Sequence, residues 1–150
     1  MMKKLLIFVC SLLVFASVAQ NPTEDILRRA EVMPVFQECQ NERYAQAPYS
    51  CTLQQLSDYF KGLEVVDNPS GQLTKCALSL VVEKDGSVSD VKIDRGVFVA
   101  ANSTEEKELI EEKINNAIIK KAKDLKFMSP AYQNGQKVRV RIQFSAGVNY

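Results

Sequence analysis

Histidine is missing from all 150 residues. That absence removes the side chain most often used as a general base near neutral pH and most often found on zinc, so histidine-dependent hydrolases and most zinc sites are excluded. An excess of charge of one sign is also missing. Nineteen Lys and Arg stand against eighteen Asp and Glu, a formal net charge of +1, and no broad field points to nucleic acid or to an anionic membrane surface. Partner choice has to rest on shape and backbone rather than on bulk charge.

Long hydrophobic runs are scarce too, and the one present opens the chain. In "MMKKLLIFVCSLLVFASVAQ", Lys3 and Lys4 precede an apolar run from Leu5 to about Val18, closed by the small residues Ser17 and Ala19. This pattern predicts a secretory signal over 1–19, cleaved after Ala19, and hence export to a compartment where disulfides persist. The run is short of the about 20 residues of a spanning helix. The competing expectation is an uncleaved N-terminus tethered to the inner membrane. Cys10 is not preceded by the small residues of a lipoprotein signal. About 130 residues then remain, enough for one domain with a core of its own.

Three cysteines follow the signal: Cys39, Cys51 and Cys76. In "LTKCALSLVVEK" strand parity puts Cys76 on one face with Leu78, Leu80 and Val82, so it reads as a small buried hydrophobe. Cys39 and Cys51 bracket a polar stretch, and a bridge between them would add roughly 3 kcal/mol by closing a short loop in an oxidising compartment. The alternative is three free thiols. Cys76 has no histidine partner and is expected to face the core, so no enzyme, no catalytic residue and no cofactor is expected.

Residues 20–32 form a short lead of weak helical character, and 33–51 a loop-like stretch punctuated by Pro34 and Pro48. Thr52 with Gln55 has capping-box spacing, and Leu53, Leu56, Phe60 and Leu63 recur as on a helix ending near Gly62. "VVDNPSGQ", 65–72, reads as a turn. Strands are expected over 73–84 and 87–95, joined by a tight turn at Asp85-Gly86, with a β-bulge near Ser89 to reconcile the parity of Val88 with that of Val91 and Ile93. Asp85, Asp90 and Asp94 do not make a calcium loop, because Gly86 follows Asp85 at once and no alternating ligand series leads into it. No metal site is expected.

Ser103 and Glu106 cap a long amphipathic helix in which Ile110, Ile114, Ala117, Ile118, Ala122 and Leu125 share a face. Its acids crowd the first half and its lysines the second, as the helix dipole favours. After the Asn134-Gly135 turn, Val138, Val140, Ile142 and Phe144 alternate with Lys137, Arg139, Arg141 and Gln143. A helix crossover returns this last strand to the free side of the first. The expectation is an α+β fold, a three-stranded antiparallel sheet of order 2-1-3 with both helices on one face. The last strand is then an edge, which a protein must either guard or use.

The hairpin "VVEKDGSVSDVKIDRGV", the amphipathic helix and "LKFMSPAYQNGQKVRVRIQF", preceded by Pro34-Val35-Phe36, Cys39, Asn41-Glu42-Arg43 and Cys51, resemble the C-terminal domain of TonB, the periplasmic energy transducer, in its variant with two early cysteines. The likeness spans about 33–146 and assigns 33–150 to this domain. Gln37-Glu38 stand where that variant carries Pro-Gly, and no Pro-rich linker precedes the domain. The resemblance implies a domain that takes the TonB box of an outer-membrane receptor, or an extended segment of another envelope protein, as an added strand in support of energy-dependent transport. It places the contact on the edge formed by Lys137, Val138, Arg139, Val140, Arg141, Ile142, Gln143 and Phe144. Inner-membrane motor proteins are further implied partners. An alternative is a freestanding structural or regulatory module that forms a homodimer by edge pairing or modulates a full-length transducer.

Overall fold

Alternation of apolar and polar side chains dictates a sheet with one buried face, and that is what forms. A computed structural model describes residues 25–40, 46–61, 63, 73–97, 99 and 101–149. The expected signal at 1–19, the start of the lead, Asn41-Glu42-Arg43 and the expected turn at 65–72 lie outside the described residues. The elements are α1 (Pro48–Lys61), β1 (Leu73–Val82), β2 (Val88–Arg95), α2 (Thr104–Lys123), β3 (Ala131–Gln133), β4 (Gln136–Val138) and β5 (Val140–Asn149). The main sheet has the order β2-β1-β5 and is antiparallel throughout. The fold is α+β, with the long first strand in the centre.

Cys76, Leu78, Leu80 and Val82 of β1 and Val140, Ile142 and Phe144 of β5 share one core with Leu56 and Phe60 of α1 and Ile114 and Ile118 of α2. Each fully buried Leu, Ile or Phe contributes about 1.5–3 kcal/mol from removal of apolar area from water. α1 lies along β5 and α2 along β2, so both helices cover the apolar face. At the start of α2, Ser103 Oγ accepts the Glu106 N–H at 3.1 Å, while a Glu106 carboxylate oxygen accepts the Asn102 N–H at 3.0 Å.

Four local expectations are corrected. First, α1 begins at Pro48, not at Thr52. Proline fits the first helical position because no partner exists there for the missing N–H. Thr52 is therefore interior and fully buried; its hydroxyl donates to the Pro48 carbonyl at 2.9 Å and accepts the Phe36 N–H at 3.2 Å. Second, Gly86 follows the β1–β2 turn instead of sharing its centre. The Gly86 N–H reaches the Glu83 carbonyl at 3.0 Å, which puts Lys84 and Asp85 at the centre, and Gly86 takes a left-handed φ of 83°. Such a three-residue loop matches strand twist by adding one left-handed residue.

Third, the described part of the lead is not helical; it runs between isolated bridges with bends at Arg28 and Glu31. Val32 bridges Tyr132 and Val35 bridges Ser129, both antiparallel, and Leu27 bridges Val140 in parallel. Backbone partners on 129–140 outweigh a helical preference too short to nucleate alone. Fourth, the expected turn at Asn134 (φ 50°) and Gly135 (φ 73°) is present, but it closes a separate small hairpin, β3–β4, instead of opening the last strand directly. The expected bulge is found one residue on. The β1–β2 register slips between Ser79/Lys92 and Val81/Ser89, and Asp90 takes a φ of 43°.

Cys39 and Cys51 form a disulfide with their Cα atoms 5.6 Å apart, and Cys76 is free and buried. The bridge ties a 3-10 turn (Gln37–Cys39) to α1, beside Val35 and Phe36. The bridge joins residues 12 positions apart in the chain, so its removal is felt. Reduction, or a Cys39→Ser/Cys51→Ser variant, is expected to cost about 3 kcal/mol and about 10 °C in Tm. A thermal melt unchanged by reductant would show that packing alone holds the segment.

Candidate functional site

Backbone N–H groups alternate sides along a strand, so one hydrogen bond fixes the direction of all the others. On β5 that bond is the Arg141 N–H to the Leu27 carbonyl, 2.7 Å. Arg141 therefore faces away from β1, and so do Gln143, Ser145 and Gly147. Val140, Ile142, Phe144, Ala146 and Val148 face β1, opposite Val82, Leu80, Leu78, Cys76 and Thr74. Among the described residues, no strand pairs with the outward groups from Gln143 to Gly147.

The eight residues of the expected edge do not act as one strand. Lys137 and Val138 belong to β4, opposite Tyr132 and Ala131. The Arg139 carbonyl and the Arg141 N–H are bonded to Leu27, whose own N–H reaches the Arg139 carbonyl at 3.0 Å. Only Gln143 and Phe144 of that set fall on the bare edge, which extends instead through Ser145, Ala146 and Gly147. The alternation of "KVRVRIQF" identifies faces but not which backbone groups are already taken.

The wet face of the sheet is closed by three pairings, two of which cross β1. Arg139 holds Glu83 through two hydrogen bonds, Nε at 2.7 Å and Nη2 at 2.8 Å. Arg141 pairs with Asp90, which the bulge turns toward it and which also takes Lys92 at 3.2 Å. Gln143 Nε2 donates to Asp94 at 3.1 Å. Beneath them Ser79 and Val81 of the central strand are excluded from solvent although they lie on the polar side. The arginines available on sequence grounds as partner contacts are thus committed within the sheet.

These pairings fix the response to acid. Hydrogen bonding from Arg139, helped by Ser89, holds the Glu83 carboxyl below its ordinary pKa, and Arg141 with Lys92 does the same for Asp90. A depressed carboxylate stabilises the fold above its unfolded pKa and ceases to do so as pH falls through the folded one. The contribution is therefore whole above about pH 5 and fades below about pH 4. Glu83→Gln is expected to flatten the dependence of unfolding free energy on pH in that window. An identical slope in the variant would remove the pair from this account.

The two outer edges of the sheet differ. β2 carries two register shifts and the exposed charges Asp90, Lys92, Asp94 and Arg95, the usual defences of an edge strand. The β5 stretch "QFSAGV", 143–148, carries no charge and no proline, and its register with β1 is unbroken. It is the undefended edge. Sequence reasoning reached Gln143 and Phe144 of this stretch but missed 145–148 and Leu27; the only signal for the latter is an apolar pair, Ile26-Leu27, in a polar lead.

Among the described residues no group of His, Cys, Asp and Glu is arranged to hold a metal ion, and no helix is long and apolar enough to cross a membrane. Burial pushes the Cys76 thiol above its ordinary pKa, which leaves it a poor nucleophile. What the arrangement offers chemically is a row of backbone donors and acceptors on the sheet edge that no strand among the described residues pairs. Compared with family profiles, with curated proteins and with solved structures, the chain matches none.

Proposed function

We propose that this chain is a periplasmic binding domain of the TonB C-terminal type, which takes an extended segment of an outer-membrane receptor, the TonB box, as a strand added to β5. Backbone bonds to Gln143, Ser145 and Gly147 supply the affinity, and side chains alternating between the wet face and the flank of α1 supply the selection. One observation carries the reading: the edge of β5 already holds an extended backbone, Leu27, through one donated and one accepted hydrogen bond. A neighbouring stretch of the same edge, straight and uncharged, is open to a second.

The test is a titration of isotope-labelled protein with synthetic peptides from the N-terminal segments of outer-membrane receptors. Amide shifts concentrated on 143–148 are expected. Shifts confined to α2, or no binding by any such peptide while other envelope proteins are captured through another face, would overturn the proposal.

A further inference from the structure

The bare edge and the edge already occupied belong to one strand, and the boundary between them is a single residue. Leu27 is held to β5 by its two backbone bonds and by a half-buried side chain. Immediately after it the chain bends away at Arg28. It is fastened again at Glu31, whose carboxylate accepts from Gln133 Nε2 at 3.0 Å and from the Asn134 N–H at 2.9 Å, and at Val32, which exchanges two hydrogen bonds with Tyr132. Between these anchors Arg28, Arg29 and Ala30 arch over a groove of about 650 Å³ that Met33 and Tyr49 also line. The arch supplies slack, and the Glu31 and Val32 anchors do not depend on Leu27.

We propose that residues 25–28 are a resident strand stub that competes with the partner for the edge of β5, so that the full docking site runs from Arg139 to Gly147 and opens only when Leu27 lifts off. This rests on the strand-addition reading and specifies its extent and control. A short segment docks on 143–147 beside the stub. A longer one gains the outward groups of Arg139 and Arg141 as well, but only by replacing the two bonds that Leu27 makes. The cost of that exchange lowers apparent affinity by the fraction of molecules in which the stub is lifted. Two backbone hydrogen bonds correspond to a penalty of about tenfold to a hundredfold.

The test uses the full chain with Leu27→Pro, which removes the N–H donated to Arg139 and leaves the Glu31 and Val32 anchors in place. The wild-type Arg141 amide is protected by Leu27 alone, whereas Ile142 and Phe144 are protected by β1. Hydrogen exchange at Arg141 is expected to accelerate at least about tenfold in the variant, with Ile142 and Phe144 unchanged as the control for folding. A peptide reproducing residues 22–30, added in trans, is expected to shift the Arg141 amide and to bind the variant about tenfold tighter than the wild type. Leu27→Asp, which keeps the N–H but withdraws the half-buried side chain, should act in the same direction.

Equal exchange at Arg141, or equal peptide affinity for wild type and both variants, would overturn the stub. If the trans peptide behaves as expected while receptor peptides do not bind at all, the functional reading fails and the stub stands.

Discussion

Gly86→Ala is expected to destabilise the fold by about 4 kcal/mol, whereas the same change at Gly135 costs about 1 kcal/mol. Both glycines have left-handed backbones, with φ of 83° and 73°. Strain of about 1–2 kcal/mol is therefore common to the two. Their surroundings differ. A Cβ on Gly86 would sit 2.4 Å from the Phe127 carbonyl oxygen, a backbone atom, while nothing lies within 4 Å of the corresponding position on Gly135. The clash cannot be relieved by rotating a side chain, and overpacking of this kind adds about 1–3 kcal/mol.

Moving the backbone would also break the bond from the Phe127 N–H to the Gly86 carbonyl, 2.8 Å, and the neighbouring bridge between Ser87 and Lys126. Phe127 is buried, with its ring edge-on to Phe36 at 5.1 Å. Gly86 thus holds the hairpin tip against the segment that follows α2 and, through Phe36, against the N-terminal side of the domain. Denaturant unfolding of both variants checks the difference. Equal losses would mean that φ, not the approach to Phe127, limits Gly86.

The apolar face of the sheet was legible in the sequence because Cys76, Leu78, Leu80 and Val82, and Val140, Ile142 and Phe144, recur at every second position, and the structure buries them; that Ser79 and Val81 between them are buried as well was not legible. A 2-1-3 order followed from the one helix long enough to cross over. Local motifs were less secure. Thr52 and Gln55 have capping spacing, yet Pro48 starts the helix one turn earlier, and no property of Thr52 alone reveals that its hydroxyl will meet the Phe36 N–H.

The candidate site was half legible for a similar reason. Sequence tells which strand is an edge but not which of its hydrogen bonds are spent. That depended on Leu27, 112 positions from Arg139 along the chain, and on Glu83, Asp90 and Asp94, which reach Arg139, Arg141 and Gln143 only once the register is set. Long-range pairing of backbone groups leaves no local pattern to read.

Proline separates the two roles of β5. At Phe144 the N–H faces Leu78 of β1 and the ring lies 5.9 Å from that of Phe60. Phe144→Pro would remove a ladder bond from the sheet and a large side chain from the core, a loss of about 5 kcal/mol that is expected to unfold a domain of ordinary stability. One residue on, Ser145 is exposed, opposite Ala77, with its N–H directed away from β1. An edge strand tolerates proline where the missing N–H would face solvent. Ser145→Pro is therefore expected to change stability by about 1 kcal/mol or less, with circular dichroism and melting close to wild type.

The same substitution withdraws the central donor of the open edge and sets a ring where an added strand must approach. Affinity for an extended receptor peptide should fall at least about tenfold, from the lost bond alone. Should Ser145→Pro bind such a peptide as the wild type does, the strand is not added at β5. Should it unfold, the N–H of Ser145 faces β1, and the direction of every outward group inferred from the Arg141 to Leu27 bond is reversed.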